Sequence, residues 1–263
     1  MERVQASAIT KPSGAQSIDR AADLVRQVVT ASRSVTFSEL AESSGLAKST
    51  TSRILSALER NGLLRRDTNG GFLPGEAFVR YALRGNAESD LVGVAYPYLE
   101  RLGELCRETI NLGVIRHGMV IQIAQVDSHY VLGGTNWLGR SEPLHCTALG
   151  KVLLAYGAAD IPSGRLERLT PRTITTRPAL EGELSKIRRR GFAVATEELE
   201  SGLVAVAAPV RRDEGVVIAA ISVSGPSTRF NASRVSHVGA QCVAEANALS
   251  QALGYKSKRK GAA

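Results

Sequence analysis

Cysteine is scarce in this 263-residue chain: Cys106, Cys146 and Cys242 are odd in number and far apart. Such a set gives no disulfide framework. Without a C-x-x-C or Cys/His spacing it offers no zinc ligands either, and it fits a reducing cytoplasm. No apolar run approaches the ~20 residues of a membrane span, and the first residues, MERVQASAITKPSG, lack the apolar core of a signal peptide. Internal repeats are absent. Acidic charge is short at both ends. Residues 1–86 carry twelve basic and eight acidic side chains, residues 87–255 carry seventeen of each, and residues 256–263 carry four basic ones. A net charge of +8 concentrated at the ends suits an N-terminal polyanion binder joined to a neutral module that binds something else.

Residues 36–61, TFSELAESSGLAKSTTSRILSALERN, form the densest pattern. Thr36 and Glu39 hold capping-box spacing for a short helix. Ser43 to Leu46 makes a corner, with Gly45 where a positive φ is needed. A second helix over about 47–61 has an apolar stripe of Ile54, Leu55 and Leu58. Its opening turns instead crowd Lys48, Ser49, Thr50, Thr51 and Arg53. Such a helix suits a DNA major groove, the plainer alternative being a hairpin with a solvated face. Residues 63–66 then read as a strand, DTNGG as a turn, and Phe72-Leu73 as a returning strand stopped by Pro74-Gly75. Helix, turn, helix and basic hairpin is the order of a winged helix-turn-helix. Thr50, Thr51 and Arg53 are expected to reach base edges, while Lys48, Arg65 and Arg66 grip phosphates.

Residues 1–16 read as a disordered arm. Residues 17–31 read as a supporting helix, with Arg20 and Arg26 off its apolar stripe and near enough to touch the DNA backbone or simply solvated. A linker helix follows over 76–84, with Gly85-Asn86 as its stop. A longer helix over 89–107 has the stripe Leu91, Val94, Ala95, Tyr98, Leu102 and Leu105, with Pro97 as a kink site. Three β-rich runs between Thr109 and Asn136 predict a meander. Helices are expected over 146–158, 163–170, 179–190 and 232–253, and buried strands over 203–210 and 215–225. The C-terminal half is thus a mixed sheet flanked by helices, an α+β domain. The expected domains are 17–75 for DNA binding, 76–86 as linker and 87–255 for the second module, with a basic tail over 256–263.

Chemistry is sparse. Ile218, Ala220, Ser222 and Ser224 share one strand face, as do Leu203, Ala205, Ala207 and Pro209 on the neighbouring strand. Convergent hydroxyls beside alanines suit a modest ligand pocket. Equally, the serines bond the backbone and the alanines let a helix pack close. His145 and Cys146 are sequence neighbours that point apart, which disfavours a nucleophile pair. ALGK (148–151) lacks the glycine and hydroxyl of a phosphate-binding loop. Glu197, Glu198 and Glu200 read as a solvated acidic loop rather than a cation site. No catalytic residue, metal site or cofactor is indicated.

Taken together, SIDRAADLV, SELAESSGLAKSTTSRILSALERNGLL, PLHCTALGKVLLA, LTPRTITTRPAL, IRRRGFAV, EELESGLVAVAAPV and AAISVSGPSTRF resemble the IclR family of bacterial transcriptional regulators over residues 17–253. The resemblance implies a winged helix-turn-helix, a linker helix and a GAF-like α/β effector-binding domain. It also implies homodimers, often paired into tetramers, on near-palindromic duplex DNA operators, and effectors of the organic-acid or aromatic class. By motif, the pocket positions carried over are Ala148, Leu149, Ala195, Ala205, Ser222 and Ser224. Some relatives that bind small keto acids have an acidic residue where Ala195 stands and a cysteine where Ala205 stands. The departures imply a somewhat larger or less polar effector. The alternatives are a sensor acting through protein contacts and, further off, a Cys146-dependent hydrolase.

Overall fold

The computed structural model describes residues 13–83, 87–130 and 135–256. Its chain divides into two compact units, Met1–Ala87 and Glu88–Ala263. The first contains α1 (Ser13–Val29), α2 (Phe37–Ser44), α3 (Lys48–Arg60), the strands β1 (Leu64–Arg66) and β2 (Phe72–Pro74), and α4 (Glu76–Leu83). The Thr36 hydroxyl accepts from the Glu39 amide while the Glu39 carboxylate accepts from the Thr36 amide, so the capping box closes α2. Gly45 ends α2 in the left-handed region at φ 62°, a conformation that costs glycine little. Leu24 and Val28 of α1, Leu40, Leu55, Leu58, Leu64 and Phe72 make one core. A bridge between Val35 and Phe72 adds a third short edge to the β1–β2 hairpin. Gly75 is required by space: a Cβ there would stand 2.2 Å from the Gly62 carbonyl oxygen.

The second unit holds α5 (Ala87–Cys106), β3 (Thr109–Arg116), β4 (Met119–Val126), β5 (Ser141–Pro143), α6 (Ala148–Ala155), α7 (Arg177–Arg190), β6 (Ala193–Thr196), β7 (Leu203–Arg211), β8 (Val217–Pro226) and α8 (Ala232–Ala252). Its six strands run in the order β5-β4-β3-β8-β7-β6. Every pairing is antiparallel, where a mixed sheet was expected. One face packs against α5 and α8 through Leu99, Leu102, Ile221, Val223 and Cys242. The other packs against α6 and α7 through Leu149, Val152, Leu180, Ala207 and Ala220. Burial on both faces explains why β7 and β8 read as continuous apolar runs.

Several expectations change. α1 begins at Ser13, so residues 13–16 are helical rather than part of an arm; Ala15 and Gln16 are good helix formers. On α5 the buried row is Ala95, Leu99, Leu102 and Cys106, while Val94 and Leu105 are exposed, because the row follows i+4 and i+3 steps from Ala95. No helix forms over 163–170. Gly164 is left-handed at φ 91°, and the Thr173 hydroxyl accepts from the amides of Leu169 and Thr170. Pairing at the far side of β4 comes from Ser141–Pro143; the third β-rich run expected over 129–136 has its centre, residues 131–134, outside the described residues. Gly85-Asn86 and the tail beyond Lys256 also lie outside them. Among the described residues no helix is long and apolar enough to cross a membrane.

Candidate nucleic-acid interface and ligand cavity

α3 turns Thr51, Leu55 and Leu58 inward. Thr51 is fully buried and its hydroxyl donates back to the Ala47 carbonyl at 3.3 Å, so it cannot reach a base edge. Three and four residues from Thr51 along the helix lie Ile54 and Leu55, which places Thr51 in the apolar row. Lys48, Ser49, Ser52 and Arg53 are the exposed residues of the first turns, and Thr50 is half-buried. Ser52 therefore holds the outward position assigned to Thr51, as helical spacing from Ser49 indicates. Arg20 of α1 borders the same surface hollow as Thr50, Ser52 and Arg53. The N-cap of α3 is Ala47, which offers no side-chain acceptor, so the first-turn amides remain available to an anion.

The two wing arginines differ. Arg65 is exposed. Arg66 donates to Glu59 at 2.9 Å and lies over the Phe72 ring at 4.5 Å. It clamps the wing to α3, which lowers its availability for the phosphate contact expected of it.

The second site sits on the α6 face of the sheet. Strand register pairs Ala195 with Ala205, Ala205 with Ser224, and Ser222 with Asn111. Directly paired residues point to the same face, so these side chains converge beneath the first turn of α6. There Thr147 caps the helix by accepting from the Gly150 amide at 3.0 Å. Ala148, Leu149, Ala195, Ala205, Ser222 and Ser224 all border one cavity. About 30 Å³ is open to the centre of a water molecule, room for about two waters. Beyond Trp137, Leu203 and Ser224 lies an outer hollow of about 230 Å³. The alanines divide by row: Ala195 and Ala205 border the cavity, while Ala207 and Ala220 are packed in the core beneath α6.

Sequence reasoning missed the polar wall. Asn111, Gln122, Glu142 and Glu198 border the cavity, each at least nine-tenths buried. The Gln122 amide donates to Glu142 at 3.1 Å. Glu198 is not in a solvated loop: it accepts from the fully buried Lys151 at 2.6 Å, and Lys151 also donates to the Val194 carbonyl at 2.7 Å. Burial raises the Glu198 pKa against the opposing Lys151 charge, and burial likewise raises that of Glu142. A charged residue inside the otherwise apolar ALGKVLLA was the available signal. Thr170 and Thr173 donate to the carbonyls of Glu197 and Glu198 at 2.6 and 2.7 Å, which holds the carboxylate at the cavity. The Cys146 thiol is pushed up to about 12 by burial and then by Glu142 and Glu198, and the His145 ring is engaged by the Glu167 carbonyl at 2.9 Å. A thiol so held is a poor nucleophile.

A winged helix with an exposed basic helix start, linked to a unit with a buried, polar-walled cavity, defines a ligand-binding transcriptional regulator. Residues 17–68 match the family described as the IclR helix-turn-helix domain, and residues 86–251 match the bacterial transcriptional regulator IclR C-terminal family. The chain belongs to the IclR family and is a DNA-binding transcriptional regulator, not an enzyme. It is 33% identical over 250 residues to the transcriptional regulator BhcR of Paracoccus denitrificans, covering 90% of this chain and 87% of that one. Identity to KdgR of Escherichia coli is 33% over 245 residues, covering 88% and 90%. The fold superposes on the Agobacterium tumefaciens repressor BlcR with a TM-score of 0.66 at 27% identity, covering 92% and 98%. An IclR homologue from Microbacterium hydrocarbonoxydans, solved with 4-hydroxybenzoate, gives a TM-score of 0.56 at 27% identity, covering 90% and 99%.

Proposed function

We propose that this regulator reads its operator through Ser49, Thr50, Ser52 and Arg53, and that Arg20, Lys48 and Arg65 hold phosphates. A small-molecule effector bound in the cavity of Ala148, Leu149, Ala195, Ala205, Ser222 and Ser224 shifts operator affinity. The observation that carries the effector reading is one cavity bordered by all six of those residues. Exposure of Lys48, Ser49, Ser52 and Arg53 around an uncapped helix start supports the DNA assignment. The protein works in the cytoplasm as a homodimer, or a tetramer of paired dimers. Solvent-exposed Ile18 on α1 and Val79 and Leu83 on α4 support pairing through the N-terminal unit. Linkage requires that the effector favour one arrangement of the oligomer, with a coupling of typically ~1–3 kcal/mol.

The test is Ala205→Phe. The ring fills the cavity, so the variant is expected to bind an operator selected from a random duplex pool as tightly as wild type and to lose release by the cognate metabolite. Release that persists in a folded Ala205→Phe protein puts the effector elsewhere.

A further inference from the structure

Four oxygens in the wall of this cavity find no hydrogen-bond partner among the described residues: Asn111 Oδ1, Gln122 Oε1, Glu142 Oε1 and Glu198 Oε2. They come from four separate segments, and the four residues are 2%, 4%, 6% and 8% exposed respectively. A buried oxygen without a donor costs free energy that solvent or a ligand must offset. Two of the four, Gln122 Oε1 and Glu198 Oε2, are held as acceptors by their own surroundings. The amide of Gln122 is fixed by its bond to Glu142 Oε2; turning it over would set its oxygen against the carboxylate. Asn111 directs its amide nitrogen toward Ser224 Oγ at 3.4 Å, which leaves its oxygen free. Glu198 takes the Lys151 ammonium on Oε1 and presents Oε2.

From this arrangement, and resting on the cavity being the effector site, we infer that the effector is a hydrogen-bond donor: a compact molecule with hydroxyl or ammonium groups directed at Asn111, Gln122, Glu142 and Glu198. A ligand that displaces water from such oxygens without replacing its donors loses affinity. A ligand whose polar atoms only accept is therefore rejected at this wall.

The experiment is thermal unfolding of the full-length protein, followed by the fluorescence of its sole tryptophan, Trp137. The probes are matched pairs differing by hydroxyl for carbonyl, lactate with pyruvate and malate with oxaloacetate, together with glycerol and serinol at the same millimolar concentration. At least one donor-bearing probe is expected to raise the melting temperature by roughly 5 °C once its concentration is ~100-fold above Kd, with its carbonyl counterpart inert. Glu142→Gln, which keeps shape, and Ala205→Phe are both expected to lose that rise. Stabilisation by pyruvate or oxaloacetate equal to that of the hydroxyl partner, or by no donor-bearing probe, overturns the inference. If the carbonyl probes stabilise wild type and not Ala205→Phe, the cavity stands as the site and only its donor requirement fails. A rise that survives in both variants overturns the site as well.

Discussion

Replacing Lys151 by Met tests whether the ion pair behind the cavity holds the second unit together. Lys151 is fully buried, 2.6 Å from Glu198 and 2.7 Å from the Val194 carbonyl. Methionine matches the length of the lysine stem, so packing changes little. The electrostatic change is large: the buried Glu198 carboxylate loses its counter-charge. Removing one partner of a buried pair costs about 3–5 kcal/mol, because the other is left uncompensated. In a unit of this size, 1 kcal/mol shifts the melting temperature by ~2–4 °C. A drop of roughly 6–20 °C is expected. Trp137 is the only tryptophan and borders the cavity, so its fluorescence reports this unit without signal from the other. Lys151→Met combined with Glu198→Leu should recover much of the loss, since apolar replacement of a whole buried pair is often neutral or better. The double-mutant cycle then gives a coupling of at least ~2 kcal/mol. A single variant melting within about 2 °C of wild type would refute the reasoning.

On α3, Arg53→Ala is expected to cost ~1–3 kcal/mol on the operator and relax preference at one base pair, whereas Lys48→Ala weakens all sequences alike and flattens the salt slope by about one unit. Thr51→Val should leave sequence preference intact, because Thr51 is buried; equal loss of preference in Thr51→Val and Ser52→Ala, read by competition binding, would contradict the assignment. Glu142 supplies a pH test. Burial raises its pKa against the opposing Gln122 bond and Arg140 charge, so its folded value exceeds the unfolded one. The stabilisation it gives in acid is lost as pH rises through the folded value. Glu142→Gln escapes that loss, so its melting advantage should grow from about pH 4 toward neutrality; a constant difference would count against it. Deleting residues 256–263, finally, should leave operator affinity at moderate salt nearly unchanged in anisotropy titrations.

Local rules made the first unit legible. The Thr36–Glu39 box, the Gly45 corner and the DTNGG turn each have a short-range signature, and each forms as read. Thr51 was misplaced because its hydroxyl looks polar while its position, one helical turn from Leu55, belongs to the core row. In the second unit the two serine and alanine faces follow from strand alternation except at Ile218, the extra residue at a register shift, which packs on the other side; the register puts Ala205 beside Ser224. The edge strand β6 went unseen because Ala193–Thr196 is short and half alanine, with little β propensity of its own. Its partner β7 supplies the order.

The polar wall was illegible for a different reason. A period of two along β4 puts Val120, Gln122 and Ala124 on one face, which makes Gln122 an isolated polar intruder in an apolar row. The pairing with β3 shifts between Leu112 and Gly113: Leu112 lies opposite Ala124, but Gly113 lies opposite Gln122. Ile123 is the extra residue of a bulge. Ala124 therefore packs in the core shared with α5 and α8, while Gln122, two residues away, turns to the α6 side and meets Glu142. Glu142 in turn reaches that side because β5 pairs it with Val120, which packs under α6. Gly113 fits the same crossing, since a Cβ there would stand 2.9 Å from Leu149 Cδ1. One inserted residue thus sends Ala124 to the opposite core, while Gln122 keeps the α6 face it shares with Val120 and stands in the cavity wall without the apolar neighbour that alternation predicts beside it.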